Sequence, residues 1–196
     1  MSNIRTLIDE ETLNKRITEL TQEISEDYRG KKPIIVCILK GAVYFFTDLT
    51  RKLDIDCELD FMRISSYKGK KSTGKIKILV DISSNIKDRD VIIVEDIIDT
   101  GKTITGLYNH LLAKEPRSIK LCVLLDKPER REEFDIEPDY TGFVIPNRFV
   151  IGYGLDEDEK YRTIPHISCI TDNEKHVEND REVIKKQLII RKNSLH

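Results

Sequence analysis

The stretch Val91-Ile92-Ile93-Val94-Glu95-Asp96-Ile97-Ile98-Asp99-Thr100-Gly101-Lys102-Thr103 decides how this chain is read. Val91–Val94 is β-branched throughout and suits a strand buried on both faces, as in a parallel sheet. After Thr103 the apolar residues Ile104, Leu107, Tyr108, Leu111 and Leu112 recur at helical spacing. The segment therefore reads strand, turn, helix. The turn offers free backbone N–H groups at a helix N-terminus, a natural seat for a phosphate dianion. The adjacent carboxylates of Glu95 and Asp96 repel such a phosphate, so they suit hydroxyls or a metal ion beside it. A phosphate at one end and a diol at the other describe a sugar phosphate.

Outward from this stretch, helical and strand patterns alternate. Asp9 is placed to cap a helix running to about Tyr28, with Leu13, Ile17, Leu20 and Ile24 on one face. Ile34–Leu39 reads as a buried strand, Lys40-Gly41 as a turn and Ala42–Leu53 as a helix. In Ile55–Ile64 the residues Ile55, Cys57, Leu59 and Phe61 alternate with Asp56, Glu58 and Asp60, a strand with one wet face. Ser65–Lys77 holds two glycines and five lysines and is a flexible hairpin loop by composition, with Ile78–Ile82 as the returning strand. A further strand is expected at Ile119–Leu125. Strands alternating with helices argue an α/β fold with a parallel sheet flanked by helices. Beyond Pro128 the chain is rich in charge, with strand-like pieces at Gly142–Ile145 and Phe149–Gly152. This part reads as a small C-terminal cap near the carboxyl ends of the core strands, where such sheets bind ligands. The expected organisation is a single domain over 1–196, with its core at about 30–128. The cap, mainly about 129–196, is helped by the N-terminal helix.

Composition narrows the functions available. A net charge of −2 with 35% charged residues gives a well-solvated surface with no bias toward nucleic acid or membrane. The apolar runs fall far short of the ~20 residues of a membrane span. Cys37, Cys57, Cys122 and Cys169 form no CxxC pair and read as reduced thiols of a cytoplasmic protein. The Gly101-Lys102-Thr103 triplet invites a P-loop reading, but the first glycine of that loop would stand at Asp96, where a carboxylate expels phosphate. Asp156-Glu157-Asp158-Glu159 lacks the glycine and the distal Glu of a calcium loop. The four histidines show no zinc spacing.

Val91–Thr103 resembles the phosphoribosyl pyrophosphate signature of type I phosphoribosyltransferases. Leu39-Lys40-Gly41, Ser66-Tyr67, Lys127, Phe149-Val150, Asp156 and Arg162 narrow the resemblance to the hypoxanthine-guanine (6-oxopurine) phosphoribosyltransferase family, over about Ile34–Ile170. The resemblance implies a core sheet with a hood-like cap, and a reaction that joins purine N9 to ribose C1 and releases pyrophosphate. The transition state is oxocarbenium-like, so positioning, leaving-group stabilisation and proton handling carry the catalysis.

Roles follow from the same resemblance. Glu95 and Asp96 lie beside the ribose hydroxyls, partly through Mg2+. Asp99 is the acid or base at purine N7, in competition with a role as helix cap. Thr100, Gly101, Lys102 and Thr103 cradle the 5′-phosphate. The backbone N–H groups of Lys40 and Gly41, across an unusual cis peptide, meet pyrophosphate together with Arg162 and with Ser66 and Tyr67 of the mobile loop. Lys127 donates to the purine O6; an ammonium only donates, so it prefers a 6-oxo to a 6-amino group. Phe149 stacks on the purine, Val150 offers backbone groups to its edge, and Asp156 holds a second magnesium near the base. The expected activity converts hypoxanthine to inosine monophosphate and guanine to guanosine monophosphate, in a homodimer or homotetramer. Its rivals are a xanthine-preferring transferase and a regulator that senses phosphoribosyl pyrophosphate without catalysis. The segment Arg130–Pro138 contributes nothing to this reading. The helix at Glu178–Lys192 rests on periodicity alone.

Overall fold

The computed structural model describes residues 3–66, 76–131 and 136–194. Its centre is a six-stranded sheet in the order β4-β3-β2-β5-β6-β7. The strands are β2 (Ile34–Leu39), β3 (Glu58–Ser66), β4 (Ile76–Val80), β5 (Asp90–Ile98), β6 (Ser118–Asp126) and β7 (Tyr140–Val144). All pairings are parallel except that of β4 with β3, which forms the long hairpin.

The central strands are apolar on both faces because helices cover both. On one face α1 (Glu10–Asp27) and α2 (Val43–Thr50) lay Leu13, Ile17, Leu20, Phe45 and Leu49 against Ile35, Cys37, Ile92, Val94 and Cys122. On the other, α3 (Lys102–Leu112) lays Ile104, Leu107 and Leu111 against Ile34, Val36, Val91, Ile93 and Leu121. Asp9 caps α1 as expected, its side chain accepting from the Thr12 N–H at 2.8 Å.

A second sheet, in the order β1-β9-β8, joins β1 (Ile4–Ile8) and β8 (Val150–Ile151) to either side of β9 (Ile167–Ile170), all antiparallel. The last helix, α4 (Glu174–Ser194), is tied to it through Arg181, whose Nε donates to the Thr6 carbonyl at 2.7 Å. Arg148 also pairs with Asp180 of α4 at 2.7 Å.

Three expectations are corrected. Of Gly142–Ile145, read as part of the cap, all but Ile145 lies in β7, which extends the large sheet by parallel pairing of Tyr140–Val144 with Cys122–Asp126. The N-terminal contribution to the cap sheet is the strand β1, whereas α1 packs on the core. In β3 the alternation is right but the faces are reversed: Leu59 and Phe61 are 48% and 42% exposed, while Asp60 is 5% exposed. The reason is local. The residues after β4 fold over the Asp60 side, and its carboxylate accepts from the Ser83 N–H (3.0 Å), the Ser83 hydroxyl (3.0 Å) and the Ser84 N–H (2.7 Å).

Candidate active site

The carboxyl ends of β2, β5 and β6 converge beneath the loop that joins β8 to β9. β5 does not stop at Val94. It pairs with β6 through Ile98↔Asp126, so Glu95 and Asp96 stand on the strand itself. Glu95 Oε2 is buried without a hydrogen-bond partner, and burial followed by the neighbouring Asp96 charge pushes its carboxyl well above the usual range. Burial also pushes Asp96 up to about 6, opposed by its hydrogen bond from the Ile97 N–H and by the Arg162 charge. A carboxylate with an unpartnered buried oxygen beside a second one, both held up in pKa by burial, suits a cationic or hydroxyl partner.

Asp99 does not cap α3. The N-cap is Gly101, at φ +81°, and no side chain bonds the first-turn N–H groups from that position. Glycine adopts this left-handed geometry without the clash a Cβ would bring. No acidic residue stands in the first turn, so the N-terminus of an eleven-residue helix is open to an anion at Thr100–Thr103. Asp99 instead accepts from Arg130, with Nε at 3.0 Å and Nη2 at 3.5 Å. Arg130 lies in a single 3-10 turn, Pro128–Arg130, that follows β6.

Lys127 begins that turn and is 7% exposed. Burial lowers its pKa, and the Asp99 charge opposes this. Its field also reaches Cys169, which pairs with Val150 in the cap sheet, so the ammonium lies between the end of β6 and the cap. Phe149, immediately before β8, is 57% exposed and is not a core residue. Val150 is buried.

The Lys40-Gly41 turn follows a cis Leu39–Lys40 bond, the geometry the resemblance implied. A Cβ on Gly41 would lie 1.5 Å from Asp96 Oδ2, and one on Gly154 would lie 1.8 Å from the Gly41 carbonyl oxygen. The turn, the acidic strand end and the cap loop thus touch through two glycines. Arg162 fastens the loop: Nη1 donates to the Gly154 carbonyl at 2.7 Å and Nη2 pairs with Asp156 Oδ1 at 2.9 Å. The charges of Asp156 and Arg162 both reach Asp96. Glu159, in the same loop, pairs with Lys40 at 3.0 Å.

The structure therefore brings together Lys40, Gly41, Glu95, Asp96, Asp99–Thr103, Lys127, Asp156 and Arg162. Tyr67 and the loop lysines 68–75 lie outside the described residues, as does the Ser66 side chain. Among the described residues no three side chains form a ready metal cluster. Sequence reasoning missed Arg130, Gly154 and Glu159. Arg130 stood in a segment from which nothing was drawn, and Glu159 was weighed only as part of a calcium loop. The Gly152-Tyr153-Gly154 spacing was the one available signal for a close approach.

A partly buried acid pair on a parallel strand, an open helix N-terminus and a cap loop touching the turn after β2 fit a sugar-phosphate transferase of α/β architecture. Residues 5–158 match the family described as phosphoribosyl transferase domain. The chain is 46% identical over 165 residues to the hypoxanthine-guanine phosphoribosyltransferase of Streptococcus thermophilus, covering 84% of this chain and 91% of the relative. It is 45% identical over 169 residues to the hypoxanthine-guanine-xanthine phosphoribosyltransferase of Tritrichomonas foetus, covering 86% and 92%. The crystal structure of a hypoxanthine-guanine phosphoribosyltransferase from Bacillus anthracis superposes with a TM-score of 0.83 at 42% identity, over 87% of this chain and 100% of that one. The chain belongs to the phosphoribosyltransferase family, in its hypoxanthine-guanine branch. It is an enzyme of purine salvage, joining a base to phosphoribosyl pyrophosphate to give a nucleoside monophosphate.

Proposed function

We propose that the enzyme uses Mg2+ and the named side chains to convert hypoxanthine and guanine to inosine and guanosine monophosphates. The observation that carries the base assignment is Lys127, a buried ammonium in the field of Asp99 and beside the cap strand that follows the exposed Phe149. Its three donors fit a 6-oxo acceptor, and the Phe149 ring offers a face for stacking. Asp99 is then near enough to the base to take or hold a proton at N7.

Glu95 and Asp96 suit a divalent cation, since one buried carboxylate oxygen has no partner and burial disfavours both charges. Asp156 would hold a second. Magnesium characteristically combines one or two carboxylates with substrate oxygens. When bound, the metal would neutralise diphosphate charge. The chain's own work is to seat the 5′-phosphate on the first turn of α3, to hold the ribose hydroxyls beside the acid pair, and to meet the departing pyrophosphate. Lys40, Gly41 and Arg162, together with Ser66 and Tyr67, take that last role. The two sheets serve as core and cap of a single domain.

We place the enzyme in the cytoplasm, in keeping with four free cysteines, three of them buried. No described helix is long and apolar enough to cross a membrane. An apolar face on β3 supports a homodimer or homotetramer. The name of the Tritrichomonas relative keeps xanthine open as a further base.

A spectrophotometric assay with Mg2+, phosphoribosyl pyrophosphate and each of hypoxanthine, guanine, xanthine and adenine tests the reading. Nucleotide forms with hypoxanthine and guanine and not with adenine. Failure with every oxopurine would sink it in favour of a sensor. Faster turnover of xanthine would transfer the assignment to that base.

A further inference from the structure

Two cations beside the proposed pyrophosphate subsite, the Lys40 ammonium on its turn and Arg162 in the cap loop, already hold an anion, and that anion is part of the chain. Lys40 Nζ lies 3.1 Å from Glu159 Oε1 and 3.0 Å from Oε2. Arg162 donates to the same carboxylate, with Nε at 3.3 Å and Nη2 at 3.2 Å from Oε2. These contacts hold the Glu159 carboxyl below the usual range, the Lys40 hydrogen bond first and the Arg162 one second. One carboxylate thus bridges an ammonium on the turn after β2 and a guanidinium in the cap loop.

We propose that Glu159 is a resident occupant of the pyrophosphate subsite, displaced by the diphosphate of the substrate, and that it sets the affinity of the site for pyrophosphate. The proposal rests on the assignment of Lys40 and Arg162 to that subsite.

Three observations favour an occupant over a support. First, Arg162 is anchored without Glu159. Its Nη1 bonds the Gly154 carbonyl at 2.7 Å and its Nη2 pairs with Asp156 at 2.9 Å. Loss of the Glu159 charge leaves those contacts standing. Second, the Glu159 side chain is 65% exposed, so its carboxylate can swing into water with little change in solvation. Third, the incoming group is the stronger partner. A diphosphate brings more charge and more acceptor oxygens than a carboxylate, and a guanidinium fork matches it better.

The carboxylate is also aimed from its own turn. Asp158, Glu159 and Tyr161 hold φ values of +50°, +62° and +71°, and the Glu159 N–H donates to Asp156 Oδ2 at 2.8 Å. The turn presents Glu159 toward Lys40 while Asp156 stays with Arg162. In the absence of substrate, Glu159 offsets the repulsion between two cations brought to one place. With substrate it competes. An exposed ion pair is weak and two such pairs compete here, so the expected effect on affinity is about three- to tenfold.

The test is calorimetric titration of the full chain with sodium pyrophosphate at fixed MgCl2, for wild type, Glu159→Gln and Glu159→Ala. Both variants should bind pyrophosphate about three- to tenfold more tightly. The KM for phosphoribosyl pyrophosphate should fall with it. Unchanged or weaker binding in both variants overturns the proposal. Arg162→Gln and Lys40→Gln, titrated in parallel, separate the two levels of the claim. If neither weakens pyrophosphate binding, the subsite assignment itself fails and the proposal falls with it. If they weaken it while the Glu159 variants do not tighten it, the assignment stands and only the role of Glu159 is overturned.

Discussion

At the residue scale the proposed choice of base comes down to one ammonium. Lys127 is 7% exposed, and burial works against its charge while Asp99 supports it. A group held there has donors to give and no acceptor, so a 6-amino purine meets an unsatisfied donor where a 6-oxo purine meets a bond. Lys127→Ala should raise KM for hypoxanthine and guanine by ten- to a hundredfold or about 1.4–3 kcal/mol, an order set by a charged hydrogen bond. The KM for phosphoribosyl pyrophosphate should change little. An unchanged ratio of oxopurine to adenine use in the variant would remove Lys127 from the base site. Much at this scale was legible only as motif. Thr100–Thr103 followed from strand, turn and helix, whereas Lys127 and Phe149 were ordinary residues until a resemblance gave them partners. The pairing of Asp99 with Arg130, at 3.0 Å, was beyond reach because 31 residues separate them and the connecting turn has no pattern of its own.

At the element scale, β5 and α3 were located because their periodicities are strong and adjacent, though β5 runs on from Val94 to Ile98. The cap of α1 was equally plain, since Asp9 precedes a clean helical stripe. What failed has a common physical cause. β1 pairs with β9 across more than 160 residues, and a five-residue strand carries too little pattern to announce that. β7 was assigned to the wrong sheet because sheet membership is decided by register, not composition. The faces of β3 were reversed because alternation does not say which side a helix will cover. Asp60 makes the point energetically. Burial raises its carboxyl, but hydrogen bonds from Ser84, Phe61 and Ser83 outweigh that, and the net shift is downward. The folded pKa lies below the unfolded one, so the stabilisation is complete above the unfolded value of about 4 and is lost as pH falls through the folded value. Asp60→Ala strands several N–H and O–H donors and should cost about 2–3 kcal/mol at pH 7. Urea denaturation should show the gap between wild type and variant narrowing below about pH 4. A gap independent of pH would mean that packing, not the carboxylate, fastens residues 83–84 to β3.

At the scale of the whole molecule, the reversal of β3 leaves an apolar face that the described residues do not cover. Leu59 and Phe61 are two residues apart on one side of the strand, and Phe61 stacks against Phe46 of α2 at 5.3 Å, which fixes that side as the α2 side. Val80 pairs in register with Arg63, two residues further along β3, and so shares the face. Leu59, Phe61 and Val80 are each more than 40% exposed. Apolar residues grouped in this way on a soluble chain mark an interface more often than chance exposure. A second copy of the chain is the partner the homodimer reading requires, and a two-fold contact would set this face against itself. The face adjoins the turn after β2, because α2 begins two residues beyond Gly41, so an assembly here would brace the Lys40-Gly41 turn from behind. Sedimentation at micromolar concentration should show wild type as a dimer or larger. Phe61→Asp, which places a charge at the centre of the patch, should sediment as a monomer with unchanged circular dichroism; Leu59→Asp serves as the second probe, since it makes no ring contact with α2. Monomerisation should also raise KM for phosphoribosyl pyrophosphate more than KM for the base, because the braced turn belongs to the proposed pyrophosphate subsite. A monomeric wild type, or charged variants that remain assembled, would move the interface elsewhere on the surface.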